Sequence, residues 1–340
     1  MFPVNTMRRK GVYVGIGLLL GLVLIGFWIS FVEFDQLLDY LKVVKIPLVV
    51  LASLVYISAY FVRSIRWNLL LRSVKKLPIW ETWLYSMGGN FINYMIPIRM
   101  GEVVKAWFVK KNYQQPIVSV LPSIFIDKTF DTIGIFFVIL MLPFVTIKLS
   151  GAMVVLLSLL SVVFFLSLLV VFLAAFHKAM IEKILYFMFR WLPPKVNSKI
   201  NEFTSMFIKG LNVFEHHWSI LLYATLLTAL GILLDGFYFF LLFRAFGNQL
   251  PFALILIGYT LINLSYALPQ PPAQLGSNEW MMIIIFSIGF GLTSNAAGAI
   301  MAFAHILTAL IMSVIGIAAI SHSGINIIQL IFKGDNLYDQ

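Results

Sequence analysis

The sequence predicts an all-α polytopic membrane protein, with about six full transmembrane helices and two re-entrant broken-helix segments in inverted-repeat halves. Three observations carry that prediction. The 340 residues are 61% hydrophobic and only 11% charged, whereas soluble domains carry about a quarter charged residues. The few charges leave long runs with none, one from Leu149 to Phe176 and another from Trp280 to Phe332. The basic residues, finally, fall on one side of those runs. A helix needs about 20 apolar residues to cross a bilayer, so several crossings are available.

Taken in chain order, Arg8-Arg9-Lys10 precedes an uncharged run that lasts until Glu33. That run is too long for the apolar core of a signal peptide, and no small-residue cleavage site follows it. Residues 11–32 are therefore expected as a retained first helix. Further crossings are expected near 46–62, 121–147, 149–176, 218–243 and 296–320. Two apolar stretches, 82–98 and 251–291, are interrupted by Gly, Pro and Asn and are expected to enter and leave on the same side. The stretch 177–217 mixes apolar and charged residues and breaks at Pro193-Pro194, which suits an amphipathic linker on the cytoplasmic face. The chain thus reads as one membrane domain, 1–340, with a first half over 11–147 and a second over 218–325.

With the N-terminus in the cytoplasm, 19 Lys and Arg face inward, while Lys42, Lys45, Lys148 and Arg244 face outward. That bias is the positive-inside rule. The expected location is the cell (inner) membrane, multi-pass, with both termini cytoplasmic. The net charge of +10 follows the membrane and does not point to nucleic acid. There is no cysteine, which excludes disulfides and thiolate metal sites. Phosphate-loop, dinucleotide, zinc-protease and serine-hydrolase motifs are all missing. No catalytic residue, metal or cofactor is expected, and the chain reads as a transporter rather than an enzyme.

The two broken stretches resemble each other. The first reads Gly88-Gly89-Asn90-Phe91-Ile92-Asn93-Tyr94-Met95-Ile96-Pro97, then Gly101-Glu102; the second runs from Gly258 through Asn263 and Tyr266 to Pro269, then Gly276 and Glu279. Pro97 and Pro269 stand half a chain apart, and the charge count places them after helices of opposite direction. Gly and Pro interrupting apolar segments at matching places in two halves point to a central binding site in a transporter.

Ionisable groups in or near apolar segments are Arg99, Glu102, Asp127, Lys128, Asp131, Asp235 and Glu279. Even on lenient scales a charge at the bilayer centre costs about 3 kcal/mol, so each needs a partner or a wet cavity. Asp127 and Asp131 share a helical face and call for a cation between them, with Arg99 or another basic side chain as its source. Arg63 and Arg66 share a face at the cytoplasmic end of helix 46–62. They are read mainly as basic residues reaching for headgroups, with phosphate recognition as the other reading. Asp235 reads as a lone acid near the outer interface, and His305 as a hydrogen-bonded core residue.

Arg66-Trp67-x-x-Leu70-Leu71, Gly89-Asn90-Phe91-x-Asn93, Pro97-x-Arg99-x-Gly101-Glu102 and Asp127-Lys128-x-x-Asp131 follow one another in a familiar order. Together they resemble the flippase-like transmembrane domain of the lysylphosphatidylglycerol synthase family. That family usually shows Glu-Arg-x-x-Asp where this chain has Asp127-Lys128-x-x-Asp131. The resemblance covers roughly residues 11–325 and implies lipid translocation. Two-domain members add a cytosolic synthase, and the short tail after Ile320 leads us to expect a stand-alone member.

The expected function is a flippase-like transporter for an anionic phospholipid, a glycolipid or a polyprenyl-phosphate-linked sugar. The expected substrate-binding residues are Asn90, Asn93, Arg99, Glu102, Asp127, Lys128, Asp131 and Glu279, with Arg63 and Arg66. Two alternatives stand beside it: an intramembrane lipid-modifying transferase with Glu102 or Asp127 as base, and a non-transporting scaffold of a lipid or glycan synthesis complex. The expected partners are a membrane lipid and, in the scaffold reading, a synthesis enzyme; a homo-oligomer is compatible with either.

Overall fold

A computed structural model describes residues 42, 44–95, 100–140, 162, 218–265 and 271–322. Among the described residues every regular element is a helix. They are α1 (Ile46–Leu71), α2 (Ile79–Met95), α3 (Gly101–Tyr113), α4 (Ile117–Leu140), α5 (Trp218–Ala245), α6 (Phe252–Ser265), α7 (Ser277–Met282) and α8 (Ser294–His322). A short 3-10 turn, Pro272–Gln274, precedes α7, and a π-helical stretch, Ile283–Gly289, follows it. Within α1, α5 and α8 lie spans long and apolar enough to cross a membrane. Their outer faces carry apolar side chains at helical spacing, such as Leu222, Leu226, Leu230 and Leu233 on α5 and Ile306, Leu310, Val314 and Ile317 on α8. Charged groups lie inside and aliphatic ones outside, the arrangement a bilayer selects. The chain is an all-α polytopic membrane protein.

The most extensive interface is between α1 and α5. Lys45 N donates to Ala245 O at 3.1 Å, the rings of Tyr56 and Tyr238 lie 5.2 Å apart, and Arg66 donates to Thr228. Positions rise along α1 as they fall along α5, so the two helices are antiparallel. That agrees with a charge count that sends one inward and the other outward. The helix expected over 46–62 continues to Leu71. Trp67, Leu70 and Leu71 are buried, so the chain past Val62 packs as core instead of leaving the bundle.

The first stretch, expected to turn back within 82–98, is instead one continuous helix, α2, to Met95, and the returning arm of the hairpin is α3. Arm positions again run in opposite senses: Asn93 meets Gly101, Tyr85 stacks on Phe108, and Tyr113 Oη donates to Glu81. The arms cross where glycine removes the side chains. A Cβ on Gly101 would lie 1.9 Å from Gly89 O. In the second stretch, Gly258 of α6 sits against Phe286 and Phe290, so the chain has folded back on itself between them.

The element starts recur along the chain. Trp218 follows Ile46 at nearly the interval by which Ser294 follows Ile117. The second interval is slightly the longer, because the connection between the hairpin arms grows from 96–100 in the first stretch to 266–276 in the second. The crossings expected at 11–32 and, apart from Val162, at 149–176, and the linker at 177–217, lie outside the described residues, as do Pro97 and Pro269.

Candidate functional site

A cavity of about 480 Å³ opens between the helices, and every one of α1 to α8 contributes to its wall. α1 and α4 bring the charges. Arg66, with no exposed surface, donates through Nε to Asp127 Oδ1 at 2.7 Å, through Nη2 to Asp131 Oδ1 at 2.7 Å, and through Nη1 to Thr228 Oγ1 at 2.8 Å. One guanidinium therefore ties α1 to α4 and α5. Asp127 and Asp131 do share a face with a cation between them, and that cation is Arg66. Arg99 lies outside the described residues.

Arg63 binds Asp235 through two parallel hydrogen bonds, Nη1 to Oδ1 at 3.0 Å and Nη2 to Oδ2, and its Nε lies 3.8 Å from Asp131. The bidentate fork is the strongest geometry available to a guanidinium and a carboxylate. These contacts overturn two expectations. Arg63 and Arg66 do not reach outward for headgroups, because helix α1 carries them into the bundle, where carboxylates neutralise them. Asp235 is not a lone acid at an interface; it is 6% exposed and paired with Arg63. Sequence reasoning missed it as a site residue, although an acid inside an apolar helix was the available signal.

The first hairpin adds Glu102. Lys105 Nζ lies 3.2 Å from its Oε2 and Lys128 Nζ 3.3 Å from its Oε1. Asn93 donates to Glu102 Oε1 at 3.2 Å and accepts from Gly101 N at 2.7 Å. Asn93 thus caps the start of α3 and fixes the carboxylate at its first turn. Lys128 also reaches Asp131 at 3.8 Å, yet its side chain stays 46% exposed. Lys105 is buried, 5.9 Å from the Trp67 ring centroid. Asn90 lines the cavity wall on the preceding turn of α2.

On the opposite wall, His305 of α8 meets Glu279 of α7, with Nδ1 2.6 Å from Oε1 and Nε2 2.7 Å from Ala273 O. His305 lines the cavity, and Glu279 lies behind it with 6% exposure. The expected core histidine is hydrogen-bonded as expected, but its partner is a site carboxylate. Of the expected binding residues that are described, Arg63, Asn90, Asn93, Glu102, Asp127, Lys128 and Asp131 line the cavity, while Arg66 and Glu279 support it from behind. Among the described residues no group of acids and histidines is arranged to hold a metal.

A cavity carrying paired charges inside an apolar helical bundle is the mark of a polytopic membrane protein with ionisable groups turned inward. The chain belongs to the family described as the lysylphosphatidylglycerol synthase TM region, whose model matches residues 14–316. It is also similar to a UPF0104 membrane protein of Methanothermobacter thermautotrophicus, at 23% identity over 94% of this chain and 97% of that one.

Proposed function

We propose that this protein is a lipid flippase-like transporter whose substrate headgroup crosses the bilayer through the central cavity. The observation that carries this reading is the cavity itself, a polar chamber about 480 Å³ in volume whose walls hold Lys128, Glu102, Asp131 and the Arg63–Asp235 pair. Buried ionisable groups at membrane depth are expensive and mark a substrate or ion path. Membership of a family of membrane-lipid proteins supports a lipid as the ligand.

The chemistry of the wall narrows the headgroup. Arg63, Arg66, Lys105 and Lys128 each already bind a carboxylate, and Lys128 has the most accessible side chain of the four. Asn90, Asn93, Asn263 and Gln274 add amides to the lining. That combination suits a phosphate shared with Lys128 next to a hydroxyl-rich or sugar moiety better than a bare multivalent anion. The same pairing disfavours a transferase with Glu102 or Asp127 as base, since both carboxylates are already engaged by cations from the bundle.

We read the two hairpins as re-entrant segments of inverted-repeat halves, α1–α4 and α5–α8, that rock about the site. The matching element starts and the antiparallel α1–α5 pair support that reading. The test is lipid movement in liposomes holding the purified protein and a fluorescent phospholipid or polyprenyl-phosphate sugar. Wild type is expected to expose the inner-leaflet label to an external quencher. Lys128→Ala should slow this at least tenfold, and Asn90→Leu should narrow the range of headgroups accepted. Equal rates in protein-free liposomes would sink the proposal.

A further inference from the structure

The Glu279–His305 pair has a proton count that its geometry imposes. A backbone carbonyl only accepts hydrogen bonds, so Ala273 O at 2.7 Å requires the hydrogen on His305 Nε2. Nδ1 then faces Glu279 Oε1 at 2.6 Å, and a single proton must lie between them, on the imidazole or on the carboxyl. Without it, a nitrogen lone pair would press against a carboxylate oxygen in a site where both residues are buried. Burying such unpaired charge and lone pairs is strongly unfavourable. Glu279 Oε2 is itself buried without a hydrogen-bond partner, so no second donor offsets the loss.

The counterpart in the first half differs. Glu279 follows Glu102 at the same interval by which His305 follows Lys128 and the start of α8 follows that of α4. One half therefore holds an acid–lysine bridge, and the other an acid–histidine bridge at the equivalent place. A lysine, ordinarily titrating near pH 10.4, stays charged throughout the physiological range, whereas histidine ordinarily titrates near pH 6.5.

We propose that Glu279 and His305 form a proton-binding lock that holds the turn ahead of α7, residues 271–276, in place. His305 clamps that turn through Ala273 O, and the turn is sprung. Ala273 and Gln274 have φ of 53° and 56°, a left-handed conformation that L side chains adopt under constraint. Losing the shared proton breaks the Glu279 contact, frees the imidazole and releases the turn at 271–276 that leads into α7. Should the protein transport lipid, this makes the proton its coupling ion, a consequence that rests on the reading above.

The groups facing the pair do not titrate in its place. Tyr94 of α2 meets the imidazole edge-on at 6.0 Å, and Tyr238 of α5 donates to Ala304 O at 3.5 Å. Both are phenols, ordinarily neutral up to about pH 10. Asp235 of α5 is matched by Arg63 of α1, and Tyr259 of α6 is stacked on Phe239. Apart from Glu279, neither α7 nor the π-helical stretch carries a titratable side chain.

The chain has no cysteine, so a nitroxide on Leu275→Cys, at the exposed loop tip, reports on this segment alone. In liposomes the label is expected to be ordered near pH 5 and mobile near pH 9, with a one-proton midpoint within the range histidines sample. Glu279→Gln supplies an amide hydrogen to Nδ1, so the contact no longer depends on a shared proton, and should keep the label ordered at every pH. His305→Lys copies the first-half bridge and should also remove the transition. A label insensitive to pH in the parent, or a transition that persists in Glu279→Gln, overturns the lock. No lipid is measured in this test. A loop that titrates in liposomes where no lipid moves would keep the lock and remove the transport reading.

Discussion

Arg66 is the side chain on which the most geometry depends. Its three donors reach Asp127, Asp131 and Thr228 on two other helices, and it is the cation bonded to Asp127. Removing one partner of a buried ion pair typically costs about 3–5 kcal/mol, because the remaining charge is left unneutralised. Arg66→Ala is therefore expected to lower the thermal midpoint of the detergent-solubilised protein sharply. Arg66→Lys should recover only part of it, since a point charge cannot span three fixed acceptors. A midpoint unchanged by either substitution would remove Arg66 as the tie between α1, α4 and α5. The sequence made Glu102, Asp127, Asp131 and Glu279 legible, because a carboxylate at membrane depth is costly without a partner, while Asp235 reads there as an interfacial acid. It concealed their partners. Arg63 and Arg66 lie where the positive-inside rule expects basic residues anyway, and Arg63's mate is 172 positions away. Hydropathy counts a charge without knowing what faces it.

At the level of elements, glycine spacing separates the two hairpins. The arms of the first touch backbone to backbone at Gly89 and Gly101, while Gly258 of the second receives an aromatic ring. Small residues let membrane helices approach closely, and the approach at Gly101 brings Asn93 to the α3 N-terminus and to Glu102. Gly101→Ala would place a methyl carbon inside van der Waals distance of both the Gly89 carbonyl and the Asn93 amide. Neither neighbour is the free end of a flexible chain, so the arms must separate. The expected outcome is loss of transport with surface expression kept, and faster hydrogen exchange confined to α2 and α3. Normal transport by this variant would show that the close crossing is dispensable. Both broken stretches were legible as breaks from their Gly, Pro and Asn content. Their helical limits were not, because α2 begins at Ile79, ahead of the apolar stretch, and α3 mixes charged with apolar residues. Mean hydropathy tracks lipid exposure, and α3 packs between α2 and α4.

At the scale of the whole molecule, the α1–α5 contact has the form of an interface between like halves. The offset that carries Arg63 onto Asp235, 172 positions, also carries Arg66 onto Tyr238 and Tyr56 onto Thr228. Arg66 contacts Thr228, and Tyr238 contacts Tyr56. Residue i meets the counterpart of j while j meets the counterpart of i, as the two-fold relation of the proposed repeat requires. Antiparallel helices require that axis to lie across them, which in a bilayer is the membrane plane. Arg63 and Asp235 are themselves counterparts, so their ion pair sits on the axis of the proposed repeat. Arg63→Asp and Asp235→Arg should each place like charges together in a buried site and abolish folding or transport. The double exchange restores an Arg–Asp pair at the same point, because the axis turns each position into the other. The exchanged protein should regain most of the lost thermal stability and measurable lipid movement. Full recovery is not expected, since Asp131 lies 3.8 Å from Arg63 and would face a carboxylate there after the exchange. Asp131→Asn added to the double exchange should close that gap. If the double exchange is no better than the single substitutions, the pair is not on an axis and the two halves are not related in this way.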